Sequence, residues 1–345
     1  MPPTYLCPVS NISHLLERYR EHPAILQLIE ALASAGQPDA MGPAARVHLS
    51  GLKGAQTAFI LAAAASRMGM TALHIAESKE EAAYLLNDLQ GILGEQSVFF
   101  FPDSFKRPAF FDDLNPAQVL QRSETVNRLS QQKSGPGIVV TYPEALFEKV
   151  VSPEVLAQNR IEVTRGEVLD VDFVVQVLVE YGFERTDFVY EPGQFSLRGG
   201  IIDLFSFGNE LPYRIELFDD EVESIRTFDP LTQLSSQQLD RLSIVPNLNT
   251  RFRQDQKVSL FRVLAADTVI WIKDFQFLLD RLQYCFEKAE QFAAKISALD
   301  AAEIRELFRD RAFLFPGEVV EEVREHPVVF LEKPGQATTS MLASQ

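Results

Sequence analysis

Residues 50–57 read S-G-L-K-G-A-Q-T and stand between a short apolar strand, RVHL (46–49), and an apolar helix, Thr57–Met68. Strand, glycine-bearing turn and helix together form the setting of a phosphate-binding loop, G-x-x-x-x-G-K-[ST]. There, backbone N–H groups cradle phosphates, the lysine neutralises them and the hydroxyl holds magnesium. Aligned on Thr57, this stretch has Ser50 at the first glycine, Ala55 at the second and Gln56 at the lysine. Gly51 and Gly54 lie inside the loop, as does Lys53, off the first helical turn. A neutral amide cannot supply the charge that a triphosphate requires. Hydrolysis also needs an acidic motif after a buried strand. The nearest match, IELFDDE (215–221), alternates charged and apolar positions and reads as a half-exposed hairpin strand with its turn. The stretch is expected to be a degenerate loop, with no catalytic residue and no cofactor. The competing reading is a nucleotide-dependent helicase fragment that relies on Lys53.

Other chemistries find less support. His14, His22, His48, His74 and His326 form no H-x-x-x-H or H-E-x-x-H pattern, so no metal site is expected. There is no G-x-S-x-G nucleophile motif. His74, inside TALHIA (71–76), reads as a core or strand-end histidine. Cys7 and Cys285 are too few for a disulfide framework or a four-ligand zinc site and read as free cytosolic thiols.

A third group of residues is polar. In QFSLR (194–198), alternation puts Gln194, Ser196 and Arg198 on one face, and Phe195 and Leu197 on the other. In PYRIELF (212–218), Arg214 and Glu216 share a face opposite Tyr213, Ile215 and Leu217. Arg185 ends the preceding helix–strand connection. One sheet face is thus expected to show Arg198, Arg214 and Glu216 to solvent. Spacing alone fits an ordinary charged sheet face. It also fits a docking surface for another protein, where arginine suits bidentate contact with carboxylates.

These residues need elements to hold them. Before residue 157, strands RVHL, TALHIA, SVFFF (97–101) and GIVVT (137–141) alternate with helices, which implies a parallel sheet with crossover helices. The helices are expected at Thr57–Met68, Lys79–Leu93 and roughly Gln118–Gln132. SVFFF reads as core of a doubly covered sheet. Asp170 can cap a helix with the stripe Phe173, Val174, Val177, Leu178 and Tyr181, ended by Gly182. Short strands with tight turns follow, so 158–242 reads as an inserted α+β domain of antiparallel hairpins. After PN (246–247) come TVIWI (268–272), a helix over Phe275–Ile296 and VVFLE (328–332). They suggest that 1–157 and 243–345 share one degenerate P-loop-like α/β domain, with a frayed tail.

The chain of 345 residues has a net charge of −16, which disfavours nucleic-acid binding, because that affinity rests on cations displacing counterions. The start, MPPTYLCPVSNISHLLERYREHP, is not a signal peptide, and the longest apolar stretch, FILAAAAS, is too short to cross a membrane. A soluble cytoplasmic protein is expected.

The stretch YEPGQFSLRGGIIDLFSFGNELPYRIELFDDEVESIRTFDPLTQLS (190–235) resembles the homology module shared by the bacterial transcription-repair coupling factors (Mfd) and UvrB, the nucleotide-excision repair helicase subunit. The likeness extends to PDSFKRPAFFDDLNPAQVLQRSETVNRL (102–129), GIVVTYPEALFEKV (137–150) and RLSIVPN (241–247). UvrB keeps an intact phosphate loop and a long aromatic hairpin. Here the loop is degenerate and Phe101–Gln118 is too short for that hairpin, so both departures fit the coupling factor. The resemblance implies a non-catalytic module that recruits UvrA by mimicking UvrB. By motif, the contact falls to Arg185 (GFERTD), Arg198 (SLRGG), Arg214 and Glu216 (YRIEL), with Phe205 as an apolar contact. Ser196 stands where UvrB commonly has a further arginine. The family's RNA-polymerase-binding and DNA-translocating parts, with their ATP and magnesium, are not visible. The resemblance therefore implies an N-terminal piece of a longer protein.

Overall fold

The computed structural model describes residues 10–34, 45–105, 115–131, 137–152, 154–155, 161–206, 211–244, 257–295 and 313–332. The tail after 335, the loop 106–114, the PN turn at 246–247 and Cys7 lie outside the described residues.

The strands, in chain order, are β1 (Arg46–Ser50), β2 (Ala72–Ile75), β3 (Val98–Phe100), β4 (Ile138–Thr141), β5 (Val150–Val151), β6 (Ile161–Thr164), β7 (Glu184–Arg185) and β8 (Gln194–Arg198). They continue with β9 (Ile201–Leu204), β10 (Tyr213–Phe218), β11 (Glu221–Phe228), β12 (Ser235–Leu239), β13 (Arg241–Ile244), β14 (Lys257–Val258), β15 (Val269–Ile272) and β16 (Val328–Glu332). Contacts divide the chain into two compact units. One comprises 1–113, 128–149 and 259–345; the other comprises 114–127 and 150–258.

The first unit is built on a parallel sheet of order β1-β16-β15-β2-β4-β3. Its inner strands are apolar because helices cover both faces, and every residue of β2, β4 and β15 is buried. The helices are α1 (Ser10–Arg20), α2 (Pro23–Ser34), α3 (Gln56–Met68), α4 (Lys79–Leu93), α5 (Pro116–Gln131, which runs on from the second unit) and α6 (Pro143–Phe147). Helix α4 starts where Ser78 accepts a hydrogen bond from the Glu81 N–H and stops at Gly94, with Ala82, Leu85 and Leu89 buried. SVFFF departs from expectation. β3 is an edge strand, so Phe99 and Phe100 are half-buried, and the Arg128 guanidinium lies over the Phe99 ring at 4.6 Å. Val98 and the following Phe101 are buried as expected.

The second unit carries α7 (Val171–Glu180) and a sheet of order β12-β11-β10-β9-β8-β7, antiparallel except for β7 against β8. Asp170 caps α7 by accepting from the Phe173 N–H. Val174 and Leu178 pack inward on Phe195, Ile202, Leu204, Ile215 and Ile225. Phe173 does not join them, since it is exposed. It lies on the first turn at the rim of the apolar stripe. The structure is thus mixed α/β, with a parallel sheet whose strands flank an antiparallel hairpin domain in sequence. The remaining helices of the first unit are α8 (Leu260–Val263), α9 (Phe275–Lys295) and α10 (Pro316–Arg324).

Candidate functional site

The loop after β1 has glycines in the left-handed region at Gly51 and Gly54 (φ 79° and 55°), as a phosphate loop needs. Its interior is already engaged. The Lys53 N–H donates to Gln56 Oε1 at 2.8 Å, and the Gln56 N–H donates back to the Lys53 carbonyl at 3.2 Å. The side chain that replaced the lysine therefore places an amide oxygen on a backbone donor of the loop. Ser50, Lys53 and Gln56 are exposed, while Thr57 is half-buried. Ala55 gives α3 no side-chain cap.

Carboxylates crowd the residues that follow the sheet's strands. After β2, Glu77 and Glu81 both accept from Lys273, which follows β15, at 3.0 and 2.9 Å. After β3, Asp103 pairs with Lys79 at 3.0 Å and accepts from the Tyr142 hydroxyl. Three acids thus meet two lysines in the region where open α/β sheets usually bind ligands. Burial pushes the Cys285 thiol up to about 12, so it stays protonated. Among the described residues, no three His, Cys, Asp or Glu side chains are grouped to hold a metal ion.

The polar face of the second unit is differently built from the sequence expectation. In register, Ser196 on β8 lies opposite Asp203 on β9, which lies opposite Arg214 on β10, which lies opposite Arg226 on β11. Asp203 is completely buried, at 0% exposure. Arg214 grips it with a fork, Nε to Oδ1 at 2.7 Å and Nη2 to Oδ2 at 2.9 Å, and gives Nη1 to the Gln233 carbonyl at 3.2 Å. Arg198 donates Nη2 to the same carboxylate at 2.6 Å. Hydrogen bonding to Asp203 holds the Arg214 guanidinium above its usual pKa. Each arginine also covers an aromatic ring, Arg214 over Phe228 at 4.7 Å and Arg198 over Phe188 at 4.8 Å.

The expectation that this whole face meets solvent is therefore corrected. The Arg198 side chain is 39% exposed, but Arg214 only 15%. Ser196 is buried and donates to the Asp187 carbonyl, while Gln194 accepts from the Tyr190 and Glu191 N–H groups. The 187–191 loop thus folds over that edge. Glu216 is half-buried and accepts from Arg226 and Ser224. Phe205 is buried with Val189 and Phe228, so its ring supports the loop from below. Arg185 is exposed and has no ion pair among the described residues.

Sequence reasoning missed Asp203 and the 229–234 loop. Asp203 was visible as the one acid in IIDLF, on the same alternation as Arg214. In the loop, Asp229 Oδ1 accepts from the Leu231 and Thr232 N–H groups, and Gln233 sits at φ 61° with its amide donating to the Val189 and Pro230 carbonyls. These bonds fix the loop and hold the Asp229 carboxyl below its usual range, chiefly through the Thr232 N–H. Leu231 and Leu234 stand out of it at 85% and 71% exposure, alongside exposed Phe188 and Tyr190.

Residues 161–249, which include this whole sheet, match the family model described as the UvrB interaction domain. The chain is 28% identical over 287 residues to the transcription-repair-coupling factor of Bacillus subtilis, covering 83% of this chain and 22% of that protein. It is 32% identical over 207 residues to that of Myxococcus xanthus and 33% identical over 201 residues to that of Staphylococcus aureus, in both cases 58% of this chain and 17% of the relative. These matches support an N-terminal transcription-repair-coupling-factor module. The chain spans about a fifth of the length of the curated relatives it matches. No helix among its described residues is long and apolar enough to cross a membrane.

Proposed function

We propose that this chain is a non-catalytic docking module that recruits UvrA by presenting the face that UvrB presents, and so links stalled transcription to excision repair. The observation that carries the reading is the UvrB-interaction-domain match lying on a sheet with a built cation face. Arg185 and Arg198 are its exposed cations, Arg214 and Glu216 its inner frame, and Leu231, Leu234, Phe188 and Tyr190 an apolar rim. Arginine and aromatic side chains are the types enriched at protein contacts and at their hot spots. Phe205 supports the 187–191 loop and does not touch the partner. RNA polymerase, DNA, ATP and magnesium belong to the remaining length of the relatives, and the setting is the cytoplasm.

The first unit keeps a nucleotide-binding shape without its chemistry. Gln56 stands at the lysine position and turns its amide oxygen onto the Lys53 N–H, so the loop offers no cation there for a triphosphate.

Titration of purified UvrA against the unmutated chain and against Arg185→Ala plus Arg198→Ala tests the docking. The expected result is saturable binding that the double variant weakens about tenfold or more, since each charge-assisted pair is worth roughly 1.5–3 kcal/mol. Equal binding by both proteins would remove the docking face from the reading.

A further inference from the structure

A buried carboxylate is costly unless it is paired and fully hydrogen-bonded. Asp203 meets that condition with two guanidiniums, and they share the work unequally. Arg214 places Nε and Nη2 on the carboxylate and Nη1 on the Gln233 carbonyl, with its ring-facing surface over Phe228. Arg198 gives the carboxylate a single Nη2 bond, lies over Phe188 and remains the more exposed of the two. Two cations on one acid leave the cluster with an excess positive charge. The Asp203 bond and the Phe188 ring hold the Arg198 side chain in one orientation, so less rotamer freedom is lost when a partner carboxylate arrives. A lysine in place of Arg214 could not make this planar, multi-donor contact.

We propose that Asp203 is a positioning residue of the docking face: its carboxylate fixes Arg214 as an internal support and aims Arg198, which is the prong offered to an acidic group of the partner. The inference rests on the UvrA-docking reading and assigns the two arginines different tasks.

A double-mutant cycle tests it. UvrA affinity is measured for the unmutated chain, Asp203→Asn, Arg198→Ala and the two combined. Asparagine keeps the size of the side chain and removes its charge. Asp203→Asn and Arg198→Ala are each expected to weaken binding about tenfold, and the combination also about tenfold, because Asp203 acts through Arg198. Arg214→Lys, which keeps the charge but not the fork, is expected to weaken binding only when Arg198 is present. Phenylglyoxal labelling read by mass spectrometry reports the geometry independently. Arg185 should react fastest, Arg198 more slowly and Arg214 least, with Arg214 becoming reactive in Asp203→Asn.

Additive losses, or tighter binding by Asp203→Asn, would overturn the inference while leaving UvrA docking in place. So would Arg214 that labels as fast as Arg185 in the unmutated chain. Absence of UvrA binding by the unmutated chain overturns the docking reading, and the inference falls with it.

Discussion

His74 faces Trp271 and Val140 across β15 and β4, and its Nδ1 has no hydrogen-bond partner among the described residues. Burial pushes its pKa down to about 4, against the smaller pull of the Glu81 carboxylate, while Lys273 adds to the depression. The unfolded chain protonates this imidazole near pH 6.5, well before the folded protein does. Stability from the neutral imidazole is therefore complete above about pH 6.5 and is lost as pH falls towards 4, by on the order of 3 kcal/mol. His326, also depressed by burial, adds in the same direction. His74→Gln should flatten the dependence of the urea midpoint on pH across that window; an unchanged slope would show that His74 titrates normally. Gln56 supports a second prediction. Calorimetry with magnesium and ATP should give no saturable heat for the unmutated chain or for Gln56→Lys, because Ser50 and Ala55 still stand in place of the loop glycines. Saturable heat that Lys53→Ala abolishes would overturn it. Sequence types alone identified the missing lysine and the core histidine. They did not show that Gln56 turns back on Lys53, nor that Arg214 faces inward. Such details depend on which neighbour a long polar side chain reaches, and alternation specifies a face without specifying its cover.

At the scale of elements, turns and caps were the legible features. Asp170, legible in the sequence, starts α7; the structure adds Ser78 as the cap of α4, which stops at Gly94, and places tight turns at Gly199–Gly200 and Asp219–Asp220, which join β8 to β9 and β10 to β11. Apolar runs were less informative. Phe173 and Phe99 read as core residues in sequence, yet position leaves Phe173 exposed on a first helical turn and Phe99 half-buried on an edge strand. Gly199 has φ of 60°, and a Cβ on Gly200 would stand 2.9 Å from the Leu217 carbonyl oxygen, which is backbone and cannot yield easily. Gly200→Ala should therefore destabilise the hairpin by roughly 1–3 kcal/mol, read as a lower denaturant midpoint at constant slope. The 229–234 loop gives the opposite case. Leu231→Ser with Leu234→Ser removes exposed apolar surface from a loop fixed by other residues, so the unfolding free energy should change by less than about 0.5 kcal/mol. UvrA affinity should nevertheless fall severalfold. A lowered midpoint with unchanged affinity would make these leucines structural.

For the molecule as a whole, pairing partners are far apart in sequence. Strand β1 is at the sheet edge and pairs with β16, Arg46 opposite Val328, while β15 lies between β16 and β2. The hairpin strands β8 to β12 pair with near neighbours in sequence. Loop closure must precede the distant contacts, so the parallel sheet is the slower of the two to assemble and depends on residues after 259. The sequence suggested this sharing because TVIWI and VVFLE are largely apolar strands too few to form a domain of their own. The order of the strands was not legible, since periodicity carries no neighbour information. A chain ending at residue 258 would lack β15 and β16, leaving β1 with no strand beside it and β2 with β4 alone. In hydrogen exchange, that chain should lose protection at Ala72–Ile75 and Ile138–Thr141 while Gln194–Arg198 and Tyr213–Phe218 keep theirs. If protection in all four strands falls together, the two units fold as one cooperative body and the hairpin sheet has no stability of its own. If the parallel strands stay protected, the distant pairings are dispensable, contrary to the burial of β15 at every position.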